Sequence, residues 1–313
     1  MYNLKQFTLS FKLLSLSILL IVNISQGNPP TKIPLLVSTE WLSEQLDNPS
    51  LVLLHIDRRG AYDEKHIPGA NYISLRGLIE RKSKDNLSDE IPSATKLDSI
   101  FGSLGINEKS LIVIYYGNEM LIPSASRLFL TVDYFGLGEN THILNGGLTS
   151  WITENRPTSA DVSNTKSSNI SANLKEDLLV GADWVFQNLR TSDIVIIDAR
   201  PEEQYSGEEK DHKSRKVGHI TGAVNIPFYE LTQKESPHLF LSDTELEKRF
   251  MEAGVKVSST IITYCGTGIW ASPVYVAAKH LGYTVKFYDG SFEDWSAHPD
   301  FPVTGPVKRG WFK

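Results

Sequence analysis

Apolar residues in this chain fall in short, nearly unbroken runs: Val52 to Ile56, Leu111 to Tyr115, Ile194 to Ile197 and Thr260 to Tyr264. A strand with one solvated face alternates, whereas runs of this kind suit strands buried on both faces, as in a parallel sheet. Amphipathic helical patterns lie between the runs. Val37-Ser38-Thr39-Glu40-Trp41-Leu42 and Val180-Gly181-Ala182-Asp183-Trp184-Val185 each set a polar cap before a short helix. Pro273 to Leu281 reads as a longer helix, with proline near its first turn and Gly282 at its end. The alternation predicts an α/β protein with mostly parallel central sheets flanked by helices on both faces.

The same programme occurs twice. Val52 to Arg59 parallels Ile194 to Arg200, each an apolar run ending in acid and base. His66-Ile67-Pro68-Gly69-Ala70-Asn71 parallels His219-Ile220-Thr221-Gly222-Ala223-Val224-Asn225, and Asn145-Gly146-Gly147 to Trp151 parallels Asp289-Gly290-Ser291 to Trp295. Matches in one order predict two copies of a single domain. We place the domains at 33–157 and 177–311. The segment between them, 158–176, is rich in Ser, Thr, Asn and Ala without an apolar period, and reads as a linker.

Composition removes several classes of function. The 313 residues carry a net charge of -6, with cations scattered among acids, so nucleic-acid binding has no electrostatic support. No His or Cys cluster has metal-ligand spacing, and no phosphate loop or dinucleotide fingerprint occurs, so neither a metal nor a cofactor is expected. Lys5 and Lys12, the apolar run Leu13 to Val22, and Ser25-Gln26-Gly27 have the layout of a secretory signal at 1–27. Export to a periplasm or the medium is expected, with no stable membrane insertion after cleavage. An uncleaved anchor is the alternative, although the run is shorter than the roughly 20 apolar residues of a spanning helix. Oligomeric state is not legible.

Cys265 is the only cysteine, and it stands where a strand-like run breaks into Gly266-Thr267-Gly268-Ile269-Trp270 ahead of the Pro273 helix. A thiol there faces backbone N–H groups and a helix N-terminus, which favour thiolate and raised reactivity. The five residues from Gly266 to Trp270 are the expected substrate-binding loop, their amides surrounding an anionic sulfur. A small buried hydrophobe is the plainer reading of a lone cysteine. The matching stretch of the first half, Tyr115-Tyr116-Gly117-Asn118, has no thiol, so that half is expected to be non-catalytic.

With the Cys265-Gly-Thr-Gly loop, the paired His-Ile-x-Gly-Ala motifs and the two glycine-plus-tryptophan endings, the chain resembles tandem-domain rhodanese-type sulfurtransferases from about Leu35 to Trp311. The resemblance implies two rhodanese-like domains, a silent first domain, and a site between the domains. It also implies ping-pong transfer of sulfane sulfur from thiosulfate or 3-mercaptopyruvate to cyanide or a thiol, through a persulfide on Cys265. Mercaptopyruvate-preferring members carry Gly-Ser-Gly after the cysteine, so Thr267 is the hydroxyl-bearing match. Their histidine relay falls on His66, with Asp57 or Asp63 as partner. Against this, Gln204 stands where the family has an anion-holding arginine, and Lys213 is the nearest counterpart of a second one. A lysine neutralises a carboxylate but cannot grip it bidentately. The balance leans to thiosulfate.

Other readings remain beside these. His66 and His219 recur together, so one role in the fold explains both. Asp198 with Arg200, like Asp57 with Arg59, reads as a strand-end ion pair, although Arg200 could face the donor. Trp270 walls a pocket or packs, and Trp151 and Trp295 belong to the core. A phosphatase of this fold needs arginine six residues after the cysteine, where Ala271 stands. A non-enzymatic persulfide carrier is the alternative function.

Overall fold

Each of the four apolar runs forms a central strand. The computed structural model describes residues 33–80 and 87–306; the expected signal at 1–27 and the last part of the second expected domain, 307–311, lie outside them. The first sheet contains β1 (Leu36–Val37), β2 (Leu51–Ile56), β3 (Asn71–Ile73), β4 (Leu111–Tyr116) and β5 (Thr141–Leu144). All five are parallel, in the order β1-β5-β4-β2-β3. The second half contributes β6 (Ile194–Asp198), β7 (His219–Ile220), β8 (Val224–Asn225), β9 (Thr260–Tyr264), β10 (Thr284–Phe287) and β11 (Val303–Thr304). Four of them form a parallel sheet in the order β10-β9-β6-β8, and β7 pairs antiparallel with β11 apart from it. The interior strands β4 and β9 are buried at every residue after their first, as strands covered on both faces are. Among the described residues no helix is long and apolar enough to cross a membrane.

The repeat extends to individual hydrogen bonds. The Tyr62 and Tyr205 hydroxyls donate to Ala70 O at 2.7 Å and Ala223 O at 2.8 Å. His66 stacks on Tyr62 and His219 on Tyr205, each with Nδ1 2.8 Å from its tyrosine's own carbonyl. At the ends of β4 and β9, the Tyr115 and Tyr264 hydroxyls accept the N–H groups of Ile67 and Ile220. Trp151 and Trp295 are fully buried, each donating its indole N–H to a proline carbonyl. The acid and base at the strand ends do not match. Asp198 and Arg200 pair, but Arg59 sits on the exposed helix Arg59–Glu64 and pairs with Asp63 one turn on. Asp57 instead accepts the Arg58 N–H and lies 3.5 Å from His55.

Residues 160–175 form neither helix nor strand, yet they are strapped to the first domain. Ser159 exchanges two backbone hydrogen bonds with His66, Ser168 N–H donates to Gly102 O, and Asn173 N–H donates to Phe135 O. The Ser168 hydroxyl adds a hydrogen bond to Ile106 O, so the segment is tied down mainly through its backbone.

The halves meet along the helices Ile122–Phe135 and Ser272–His280. Asp133, fully buried, takes hydrogen bonds from Tyr275 and Lys175 and an ion pair from Lys279. Burial acts to raise this carboxyl, but Lys279 and then the hydrogen bonds from Lys175, Lys279 and Tyr275 hold it below its ordinary range. A carboxyl lowered in the folded state stabilises above its unfolded value and loses that contribution as pH falls through the folded one. Asp133→Asn is therefore expected to cost about 1.5–3 kcal/mol at pH 7. The gap to wild type should shrink as both are titrated into acid, which urea unfolding at a series of pH values measures.

Candidate active site

Cys265 follows β9 directly, at the carboxyl edge where α/β sheets place ligands. Its Sγ accepts the Gly268 N–H at 3.2 Å, and the amides of Thr267, Ala271 and Trp270 also act on it. The ring of donors thus includes Ala271, which the sequence reading left out, while Gly266 and Ile269 give their carbonyls to the N–H groups of Glu293 and Ser272. Expected thiolate stabilisation needs correction. Cys265 is 2% exposed, and burial pushes the thiol up from its ordinary value further than the four amides pull it down.

The loop is held from below by its own domain. Cys265 N–H donates to Ser291 Oγ at 3.2 Å, and Cys265 O accepts Phe292 N–H from the first turn of the helix Ser291–Ala297. Ser272 Oγ donates to Gly268 O at 3.1 Å. Gly268 has φ +90°, and a Cβ there would lie 2.9 Å from Asp289 Oδ1. Only glycine meets both demands.

From the other side the first domain closes over the loop, through residues that sequence reasoning missed. Arg127, fully buried in the helix Ile122–Phe135, lies 2.6 Å from Asp289 Oδ1 and 3.4 Å from Gly268 O, and donates to Asp89 O at 2.7 Å. Thr267 Oγ1 donates to Asp89 Oδ2 at 2.8 Å, and Ile91 N–H donates to Asp289 Oδ2. Ser88 meets Glu293 through its amide and its hydroxyl. A signal for Arg127 did exist: it and Asp133 are the only charges in an otherwise apolar helical stretch, and buried charges need partners.

The remaining candidates divide. Lys213 reaches the site, with Nζ 3.6 Å from Asp89 Oδ2 and its N–H on Asp211, whose carboxylate lies over Gly266. Trp270 is half-exposed beside Phe228, at 5.5 Å between ring centroids. Gln204 buries its Oε1 without a partner. Arg200 is engaged by Asp198 and Gly218 O. The implied relay does not assemble. His66 spends both ring nitrogens on the carbonyls of Tyr62 and Asp161, Asp63 pairs with Arg59, and the Thr267 hydroxyl is held by Asp89.

In the first domain Tyr116 occupies the position of Cys265. It is fully buried, donates to His238 O at 2.6 Å and accepts the Gly146 N–H at 3.0 Å. A Cβ on Gly147, where the second domain has Ser291, would collide with Tyr116. The second domain reciprocates the docking: Phe240 N–H donates to Asn145 Oδ1 as Ile91 N–H does to Asp289.

The family model described as "Rhodanese-like domain" matches residues 38–154 and again 181–298. The chain is 32% identical over 274 residues to a thiosulfate sulfurtransferase of Azotobacter vinelandii, covering 87% of this chain and 97% of that protein. It is 30% identical over 287 residues to a 3-mercaptopyruvate sulfurtransferase of Rattus norvegicus, covering 86% and 95% respectively. Among solved structures it is similar to SseA from Escherichia coli, described as a 3-mercaptopyruvate sulfotransferase. The TM-score is 0.72 at 26% identity, over 83% of this chain and 99% of that one.

Proposed function

The chain belongs to the rhodanese-like domain family and is a sulfurtransferase, and on that premise we propose that Cys265 carries the sulfur and that thiosulfate is its preferred donor. The Cys265 thiolate attacks the outer sulfur of thiosulfate, a new S–S bond forms, and sulfite leaves with the electron pair of the old one. Cyanide or a thiolate then takes the outer sulfur of the persulfide, as thiocyanate or a new persulfide, and the thiolate returns. The amides of Thr267, Gly268, Trp270 and Ala271 suit both stages, because each places negative charge on sulfur inside their ring.

One observation carries the donor reading: the charged side chains that the structure brings to the loop and to the end of the neighbouring strand are already paired. Arg127 is engaged by Asp289 and Arg200 by Asp198, Gln204 is neutral, and Lys213 and the Thr267 hydroxyl both meet Asp89. A keto-acid carboxylate thus lacks the bidentate grip that charge-assisted pairing supplies, while a compact inorganic anion needs only amides. With cyanide as acceptor, kcat/KM for thiosulfate is expected to exceed that for 3-mercaptopyruvate by at least about tenfold, the worth of one lost charged hydrogen bond. Equal or greater mercaptopyruvate turnover overturns the preference. Failure of both donors, with stoichiometric persulfide accepted from a protein, would favour the carrier.

Export is part of the same proposal, supported by the layout of residues 1–27. Edman sequencing of the mature protein should begin near Asn28; an intact N-terminus in a membrane fraction would favour the anchored form.

A further inference from the structure

Arg127 is a charged residue placed where charge is costly, in the middle of a buried helix of the domain that lacks the cysteine. Interface cohesion does not account for where its guanidinium points. The helix pair already has a cross-domain cluster in Asp133, Lys279 and Tyr275. Arg127 instead reaches past that cluster to the cysteine loop, where its two terminal nitrogens meet Asp289, Gly268 O and Asp89 O. Its guanidinium also lies 5.5 Å from the centre of the Phe287 ring.

Gly268 is the residue whose N–H meets Sγ within hydrogen-bond distance, while the amides of Thr267 and Ala271 act on the thiol more strongly from the same turn. With φ +90° and no side chain, its conformation is not fixed by sterics of its own and has to be held by its neighbours. Ser272 Oγ and Arg127 both take its carbonyl. A planar guanidinium fixes several acceptors in one geometry, which a lysine cannot do.

We propose that Arg127 is a positioning residue for sulfur transfer: by holding the Gly268 carbonyl and Asp289 together, the silent domain sets the N–H that faces the Cys265 sulfur. This rests on the reading of Cys265 as the sulfur carrier. Other charged or titratable groups around the thiol are Tyr264 and the Arg200 and Asp198 pair at the strand ends, Asp289 and Glu293 beneath it, and Asp211, Lys213 and Asp89 above. Replacing Arg127 alone also removes a cation and leaves Asp289 unpaired, so the thiol titration that reports on the loop is that of the variant in which both charges are removed.

The test uses the full chain, whose single cysteine makes alkylation by iodoacetamide specific to position 265. For Arg127→Met and for Arg127→Met/Asp289→Asn the midpoint of the alkylation rate against pH is expected to move upward, and kcat for sulfur transfer to fall about tenfold to a hundredfold with a smaller change in KM. Arg127→Lys should restore part of both. Arg127→Met/Asp289→Asn removes both charges and serves where the single variant does not fold; Arg127→Lys decides where neither methionine variant accumulates. A wild-type midpoint and kcat in the folded variants, with only a lower Tm, overturns the proposal. Transfer surviving in Cys265→Ser would sink the underlying reading instead, whereas a dead Cys265→Ser beside a wild-type-like Arg127→Met would sink this inference alone.

Discussion

Cys265→Ser is expected to lower sulfur-transfer turnover by about 10⁴-fold or more with either donor, the scale on which a covalent nucleophile is missed. The exchange is nearly isosteric, and the Gly268 N–H that meets Sγ at 3.2 Å can meet a hydroxyl oxygen equally well, so the loop should keep its form. What is lost is a sulfur able to carry a second sulfur. Mass spectrometry after incubation with thiosulfate should show the mass of one added sulfur atom on the wild type and none on the variant. A loaded variant, or one with a tenth of normal turnover, would end the assignment. The wild type also carries a pH signature. Because burial pushes the free thiol up, the reactive thiolate fraction rises with pH, and alkylation should accelerate through a midpoint above the ordinary thiol range.

Elements governed by local pattern were legible in the chain. The apolar runs became β2, β4, β6 and β9, as unbroken runs suited to strands buried on both faces, and the repeat matched His66 with His219, a match the structure extends to the stacked tyrosines Tyr62 and Tyr205. Of the expected loop amides, those of Thr267, Gly268 and Trp270 act on the thiol, while Ala271 joins them from outside the expected five. What escaped was non-local. Asp89 and Arg127 reach the loop only because the first domain docks on the second, and no spacing in the sequence records a contact between residues 178 positions apart. The thiol's displacement was missed because amides near it can be counted from the loop, but the burial that opposes them depends on how the folded chain packs around it. His66 shows the reverse error. A residue read through resemblance as part of a relay has Nδ1 beside the nearby Tyr62 carbonyl, as its twin His219 has beside Tyr205, and Nε2 beside the Asp161 carbonyl 95 positions on.

Arg200→Met is expected to destabilise the protein by about 3–5 kcal/mol, the cost of leaving a buried charge without its partner. Asp198 is fully buried at the end of β6, and Arg200 meets its carboxylate with Nε at 3.0 and 3.1 Å and with Nη2 at 2.6 Å. The guanidinium also donates to Gly218 O and lies 4.1 Å from the centre of the Phe292 ring, in the helix that anchors the cysteine loop. Removing both charges should be milder than removing one, so Arg200→Met/Asp198→Asn is expected to recover part of the loss. Urea unfolding of the three proteins measures this directly. The same variants decide whether Arg200 serves the fold or the donor. With Nε and Nη2 committed to Asp198 and Gly218 O, Arg200 keeps no bidentate edge for an anion, so the folded fraction of Arg200→Met should keep a near wild-type KM for thiosulfate. A KM raised about tenfold with stability intact would instead make Arg200 the donor's cation, and Gln204 would then need no substitute.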